Sequence, residues 1–311
     1  MAHYKLNVAV VASVLLLCGP DIASSETCDG PAVSGIRGLA KAHALADGSL
    51  AGKGKVNINI DGYGRAYHPQ NARAGALIHL CNAGEVFLPD GTHYYGSESN
   101  ATCTGKFMAD FAKIKAAKWN SPDVGAIRWF GILGVDSVTV GGQKVKGVKP
   151  VEQADGSGFF VSPTTLADET VHDQAVQSRY VHPLRVPAAV IGNQRELSGR
   201  GIVMGSFGVA YDPKTQRTVP FIVGDFGPRI GEATPALARS LANLPITDDV
   251  TRNNRYAGQV DAPRVVWVFF GKTGGTIKYK QDRETDVNAA AKDAFQKWGG
   301  QTRLACVASA L

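Results

Sequence analysis

No stretch of this sequence is both long and apolar enough for a comfortable membrane span, which needs about 20 residues. The longest apolar run, residues 8–17, follows a single lysine, Lys5, and precedes the small residues Ala23-Ser24-Ser25. That arrangement reads as a secretory signal over residues 1–25, with the mature chain beginning near Glu26. Cysteine is scarce. Cys18 falls inside the signal, which leaves Cys28, Cys81, Cys103 and Cys306. Four cysteines in an exported chain read as two disulfides, with three connectivities open. One of these pairs Cys81 with Cys103 around a local loop and Cys28 with Cys306 across most of the chain. None of the spacings is that of a zinc site, so no metal is expected. The histidines (3, 43, 68, 79, 93, 172 and 182) contain no HxxxH or HExxH pair. Ser206 lies in MGSFG, which is not the GxSxG elbow of serine hydrolases. Phe270-Gly271-Lys272-Thr273 resembles the end of a phosphate loop, but Val266 stands where that motif needs glycine. Nucleotide, metal and serine-nucleophile chemistry therefore have no foothold, and no cofactor is expected.

The chain does have a positive balance, with 33 Lys and Arg against 27 Asp and Glu, a net +6. Loss of the signal removes Lys5 and Asp21 together and leaves this balance unchanged. A basic exported protein tends to meet anionic partners such as cell walls or acidic polymers. Lys53, Lys55 and the lysines of 113–118 are dispersed as on a solvated face, without the interleaved aromatics of a nucleic-acid surface. With no Pro/Ser-rich linker, charge block or repeat, residues 26–311 read as one domain.

Short strand-like runs dominate: 56–60, 76–80, 126–133, 137–140, 144–148, 158–161, 188–191, 202–211, 219–223 and 265–270. Helical spacing appears in 106–118 (Phe107, Phe111, Ile114), in 234–244 (Leu237, Leu241, Leu244) and in the alanine-rich 285–298 before Gly299-Gly300. The class is α+β and β-rich, a barrel or sandwich with about three appended helices.

The segment 201–244 carries the chemistry. Two apolar runs flank a turn at 212–217, and the second run surfaces at Gly224-Asp225. The glycine- and proline-rich loop that follows reaches Glu232 at the mouth of the 234–244 helix. Glycosidic cleavage uses two carboxylates, one to protonate the leaving oxygen and one to activate water or attack directly. Asp225 and Glu232 are the candidates. A helix start favours the anion of Glu232, and apolar neighbours favour the neutral acid at Asp225, so Asp225 is expected as general acid and Glu232 as general base.

Gly224-Asp225-Phe226-Gly227-Pro228, a short spacer and Gly231-Glu232-Ala233-Thr234 resemble the catalytic core of the glycoside hydrolase family 75 chitosanases. VNINIDGYGRAYHP (56–69), GFFVSPTTL (158–166), YVHPLRVPAAVIG (180–192) and the strand RVVWVFFGKTGG resemble further segments of that family in the same order, covering about residues 56–275. The spacer between Asp225 and Glu232 is about two residues shorter than usual in the family. His182 stands for an aspartate, and Ala188 for a tyrosine. The resemblance implies endo-acting, inverting, metal-independent cleavage of chitosan or partly acetylated chitosan on a barrel of the double-psi type. It makes Asp61, Tyr63, Tyr180, Arg229 and Thr234, all in or beside the resembling stretches, candidate substrate contacts. Chitosan is a polycation, so an acidic cleft is expected, with Asp61, Asp155, Asp168, Glu169, Asp173, Asp212, Asp225 and Glu232 as its sources. Two other expectations stand beside this one: a peptidoglycan-cleaving muramidase or lytic transglycosylase, and a non-catalytic polysaccharide-binding wall protein. All three place the protein outside the cell or in the periplasm.

Overall fold

The computed structural model describes residues 28–311; the expected signal segment lies outside them. The chain enters through β1 (Ala32–Val33) and β2 (Leu39–Ala44), then the long β3 (Leu50–Ile58). Next come β4 (Gly84–Phe87), β5 (His93–Tyr95), helix α1 (Phe107–Ala116) and β6 (Ala126–Trp129). A hairpin of β7 (Gly134–Val140) and β8 (Gln143–Pro150) follows. The chain then runs through β9 (Ala188–Gly192), α2 (Arg195–Gly199), β10 (Phe207–Asp212), β11 (Arg217–Gly227), β12 (Glu232–Ala233) and α3 (Pro235–Leu241). β13 (Val260–Phe269), α4 (Gly271–Gly274), α5 (Glu284–Trp298) and α6 (Gly300–Ala310) complete it.

Six of these strands, in the order β3-β12-β9-β11-β10-β13, close into a barrel through the pairing of β13 with β3. Two pairings, β9 with β11 and β3 with β12, are parallel. Alternation along the strands decides what lies inside. Leu50, Val56, Ala189, Ile191, Phe221, Val223, Trp267 and Phe269 form one cluster and fill the interior. The intervening residues, Ala51, Ala188, Ile222, Val266 and Val268, face outward and pack with Phe295 and Trp298 of α5. Burying one such large apolar side chain contributes about 1.5–3 kcal/mol. A third cluster joins α1 (Phe107, Phe111, Ile114) to Val86, Ile127 and Trp129 of the β4–β5–β6 sheet.

The β-rich α+β barrel with appended helices matches the expectation. The anticipated helices are α1, α3 and α5; α2, α4 and α6 add to them. Gly299 and Gly300 end α5 with φ of 122° and 59°, and α6 restarts at once. Cys28 is bonded to Cys306 on α6, and Cys81 to Cys103. The 212–217 turn joins β10 to β11 with Asp212 opposite Arg217.

Four expected strands differ, the first being 126–133, whose ladder stops at Trp129 as β6. Residues 76–80 are a bent segment whose backbone is pinned elsewhere: Leu77 N donates to Arg65 O, Ile78 N to Ala66 O, and Leu80 N to the Asn71 side chain. Residues 158–161 form only a bridge, Phe160 to Glu152. β10 starts at Phe207, because 202–206 is a turn with Gly205 at φ 79°. Apolar residues in these segments are buried in part, and burial without ladder partners does not make a strand.

Candidate active site

Strand β9 is the ruler of the site. Asp225 on β11 pairs with Val190, and Ala233 on β12 pairs with Ala189, which sets Glu232 against the other flank of Val190. Adjacent strands lie about 4.8 Å apart, so the two Cα atoms stand about 10 Å apart across one intervening strand. A bulge at Gly224, between Val223 and Asp225, turns Asp225 outward with Val190. Ala233 faces the interior, so Glu232 also points out. The space between the two carboxylates is kept open at Gly227. A Cβ there would stand 2.7 Å from Val190 Cγ1 and 3.6 Å from Glu232 Oε2.

A third carboxylate joins them. Asn57 of β3 pairs with Glu232, and the alternation 57, 59, 61 carries Asn59 and Asp61 along the same outer side. Asn59 Oδ1 accepts from Asp61 N at 2.7 Å. Ser162 Oγ lies 3.3 Å from Asp61 Oδ1 and donates alternatively to Gly131 O at 3.1 Å. Asp61 and Asp225 line a common pocket of about 10 Å³ with Asn59 and Thr164, about the space of one water.

Asp225 Oδ1 accepts three hydrogen bonds: Thr165 N at 2.8 Å, Thr165 Oγ1 at 2.6 Å and Phe226 N at 2.8 Å. All fall on one oxygen, which leaves Oδ2 as the site for a proton. Burial raises the Asp225 carboxyl above its ordinary range, against the pull of these three donors. Burial also raises Glu232; the Arg229 charge opposes it, the Asp225 charge reinforces it, and an Asn59 hydrogen bond opposes it. Asp61 is pushed furthest, first by burial and then by Asp225, with Glu232 adding to the repulsion.

Two expectations need correction. Glu232 does not sit at a helix start. It lies in β12, two residues before Thr234, which caps α3, and its acidity is reduced rather than enhanced. The broad acidic cleft is also narrower than expected. Asp212 is fully buried on Arg264, and Asp168 pairs with Lys280 at 3.2 Å, so Asp61, Asp225 and Glu232 form the acidic centre.

The other candidates divide. Arg229 is exposed and its charge acts on Glu232. The Thr234 hydroxyl is fully used: it accepts from Ala188 N at 2.9 Å, donates to Val186 O at 2.8 Å and caps Leu237 N. Tyr63 and Tyr180 line a separate cavity of about 330 Å³ with His182, Arg185 and Glu284. There Tyr63 meets the His182 ring edge-on, and the Tyr180 hydroxyl donates to Gln174 O at 3.1 Å. Sequence reasoning missed Asn59, Ser162 and Thr165. Asn59 had a signal, its place two residues before Asp61 in an alternating run. Ser162 and Thr165 lie in the resembling stretch 158–166, but nothing there pointed to their partners, since both act across long sequence separations. Among the described residues, one His/Cys/carboxylate group is tight enough to share an ion, namely His79, Cys81 and Cys103, and its two sulfurs are bonded to each other.

No protein-family model matches the chain, and no curated protein matches it.

The raised Asp61 carboxyl has a consequence for stability. Its folded-state pKa exceeds the unfolded value, so the native state holds this proton more tightly than the unfolded chain does. The associated stability is full in acid and is lost as pH rises through the folded pKa. Asp61→Asn keeps the shape and removes the titration. We expect a higher Tm than wild type at pH 7, by at least about 2 °C, the size of roughly 1 kcal/mol in a chain this long. Near pH 3 the difference should vanish. Calorimetry at the two pH values checks this, and a lower Tm at pH 7 contradicts it.

Proposed function

We propose that this protein is an exported endo-acting glycoside hydrolase of the family 75 kind, cutting an amino-sugar polysaccharide such as chitosan or partly acetylated chitosan. The observation that carries this reading is the pair Asp225 and Glu232 flanking Val190, about 10 Å apart at Cα across one strand. A Cα separation of that size is compatible with the ~6.5–9.5 Å between carboxyl groups of inverting enzymes, which leaves room for a water. The two disulfides suit an oxidising compartment, outside the cell or periplasmic.

In this mechanism Asp225 gives the proton on Oδ2 to the glycosidic oxygen as the bond from that oxygen to the anomeric carbon breaks. Glu232 takes a proton from a water whose oxygen bonds to the anomeric carbon from the opposite face. One water is consumed, the leaving sugar regains its hydroxyl, and the new reducing end has inverted configuration. The Asp225 proton is favoured by burial, and its place is fixed by the donors on Oδ1. Arg229 and Asn59 favour the Glu232 anion. The proposed acid and base roles are those the sequence implied; at Glu232 they rest on Arg229 and Asn59 and not on a helix dipole.

A second reading, cleavage of peptidoglycan, rests on the cleft next to Asp225. A cavity of about 490 Å³ runs from Thr165 past Arg179, Lys278 and Lys280, with Glu169 as the acid on its lining. Lys278 is exposed and has no ion pair among the described residues. This wall suits a polymer that carries carboxylates better than a polycation.

Digestion of chitosan and of peptidoglycan by the purified protein, read by mass spectrometry, separates the readings. Hydrolysis gives oligosaccharides with one water added per cut. Anhydro products, lighter by one water, mean a lytic transglycosylase. Intact polymer in both digests means a binding protein.

A further inference from the structure

Four aromatic side chains are exposed among the described residues: Tyr95 (48%), Phe130 (50%), Phe226 (45%) and Tyr256 (53%). Three of them lead to the carboxylates. Phe226 follows Asp225 directly and donates its N–H to that carboxylate. Phe130 precedes Gly131, where a Cβ would stand 2.9 Å from Asp61 Oδ1 and 2.6 Å from the Tyr67 hydroxyl. Tyr95 stacks on Phe130, with centroids 5.9 Å apart and planes at 30°.

The Phe130–Tyr95 pair is built and braced. The Arg128 guanidinium lies 5.7 Å from the Phe130 centroid and 5.4 Å from that of Phe87. It is tied to Glu85, a carboxylate only 2% exposed, which also bonds His93 Nδ1 at 3.0 Å. A buried carboxylate is costly unless its partners compensate. Here those partners fix the cation that backs an exposed ring. Two large rings stacked in water at the rim of a site are a surface prepared for an apolar face.

We propose that Phe130 with Tyr95, beside Asp61, and Phe226, beside Asp225, are stacking subsites for successive pyranose rings of a polysaccharide chain. A pyranose presents C–H groups on its faces and hydroxyls at its rim. It therefore covers an aromatic ring while keeping its polar groups in water. Subsites on both the Asp61 side and the Asp225 side hold a chain with sugars to either side of the cut bond, the requirement of endo action. The endo-acting consequence rests on the hydrolase reading; the binding itself does not.

The test measures binding by calorimetry in the Asp225→Asn background, so that the ligand persists. The probes are a glucosamine hexamer and an N-acetylglucosamine hexamer. The parent is expected to bind at least one of them, with Phe130→Ala, Tyr95→Ala and Phe226→Ala each weakening it roughly three- to tenfold. The rings are exposed, so these variants should melt with the parent, and the Tm is checked. A glucosamine dimer, too short to span both sides, should be affected by fewer of the substitutions. No binding of either hexamer, or binding that ignores all three substitutions, overturns the proposal. Ring-dependent binding together with a wild type that cleaves nothing removes the hydrolase reading and leaves the subsites standing. Cleavage with ring-independent binding does the reverse.

Discussion

Replacing Asp225 with asparagine is expected to lower kcat on the polysaccharide by about 10²–10⁴-fold while the protein stays folded, and Glu232→Gln should do the same. Both side chains are replaced by amides of equal size, so circular dichroism should change little, and because burial raises both carboxyls the Tm at pH 7 should not fall. The two losses should differ in kind. An aryl glycoside with an activated leaving group needs little protonation, so Asp225→Asn should keep much of its rate there and Glu232→Gln should not. Azide should restore turnover to Glu232→Ala, by replacing the activated water, and not to Asp225→Ala. The pH profile follows from the same geometry. The proposed mechanism needs Glu232 ionised and Asp225 protonated. Burial raises both carboxyls, so both limbs of the bell should lie above the ordinary carboxylate range. Full activity in either amide variant removes that residue from the mechanism, and the reverse pattern of rescue exchanges their roles.

The largest structural effect should come from Arg264→Met. Asp212 ends β10 at the turn into β11 and has no exposed surface. Its carboxylate is gripped in a fork by Arg264 of β13, Nε to Oδ1 at 2.9 Å and Nη2 to Oδ2 at 2.8 Å, and accepts Lys214 N at 2.9 Å. The fork ties the hairpin that carries Asp225 to the strand that closes the barrel. Burial by itself raises the Asp212 carboxyl, but Arg264 and the Lys214 amide outweigh it and hold the group below its usual range. Its stability contribution is therefore present above the unfolded pKa and lost as pH falls through the folded one. Removing Arg264 leaves a buried anion unpaired. The expected cost at pH 7 is about 3 kcal/mol, the low end for a broken buried pair, because Arg264 keeps a third of its side chain in water. In acid the cost should shrink as Asp212 protonates, and Asp212→Asn added to Arg264→Met should recover part of it at pH 7. Denaturant melts at pH 7 and pH 3 measure this. A loss below 1 kcal/mol that ignores pH contradicts the account.

What could be read from the chain alone was what is local. The helices α1, α3 and α5 declared themselves by spacing, the 212–217 hairpin by its turn residues, and the end of β11 at Gly224-Asp225 by the break in an apolar run. Glu232 was recognisable as a partner for Asp225 but not as a strand residue. Its two-residue strand exists only because Asn57 and Ala189, far away in sequence, flank it. Asp61 was marked as a contact and as one of eight sources of an acidic cleft, but not as the third member of a tight centre, since its approach to Asp225 depends on the pairing of β3 through β12 and β9 with β11. Thr165 reaches Asp225 across 60 residues and Ser162 reaches Asp61 across 101, so no window of sequence contained either pair. The exposed rings were equally hidden, because an aromatic residue in sequence is by default a core residue, and only the fold leaves Phe130, Tyr95 and Phe226 outside.

The central claim is that Asp225 and Glu232 stand far enough apart across Val190 for a water to attack directly. The most direct test is proton NMR of the first reducing ends released from chitosan, read before the anomers equilibrate. The account predicts that the initial product is the α-anomer, inverted from the β-linked substrate. An initial β-anomer would mean a covalent intermediate on closely spaced carboxylates, and the absence of any reducing end would mean that no glycosidic bond is hydrolysed; either result contradicts it.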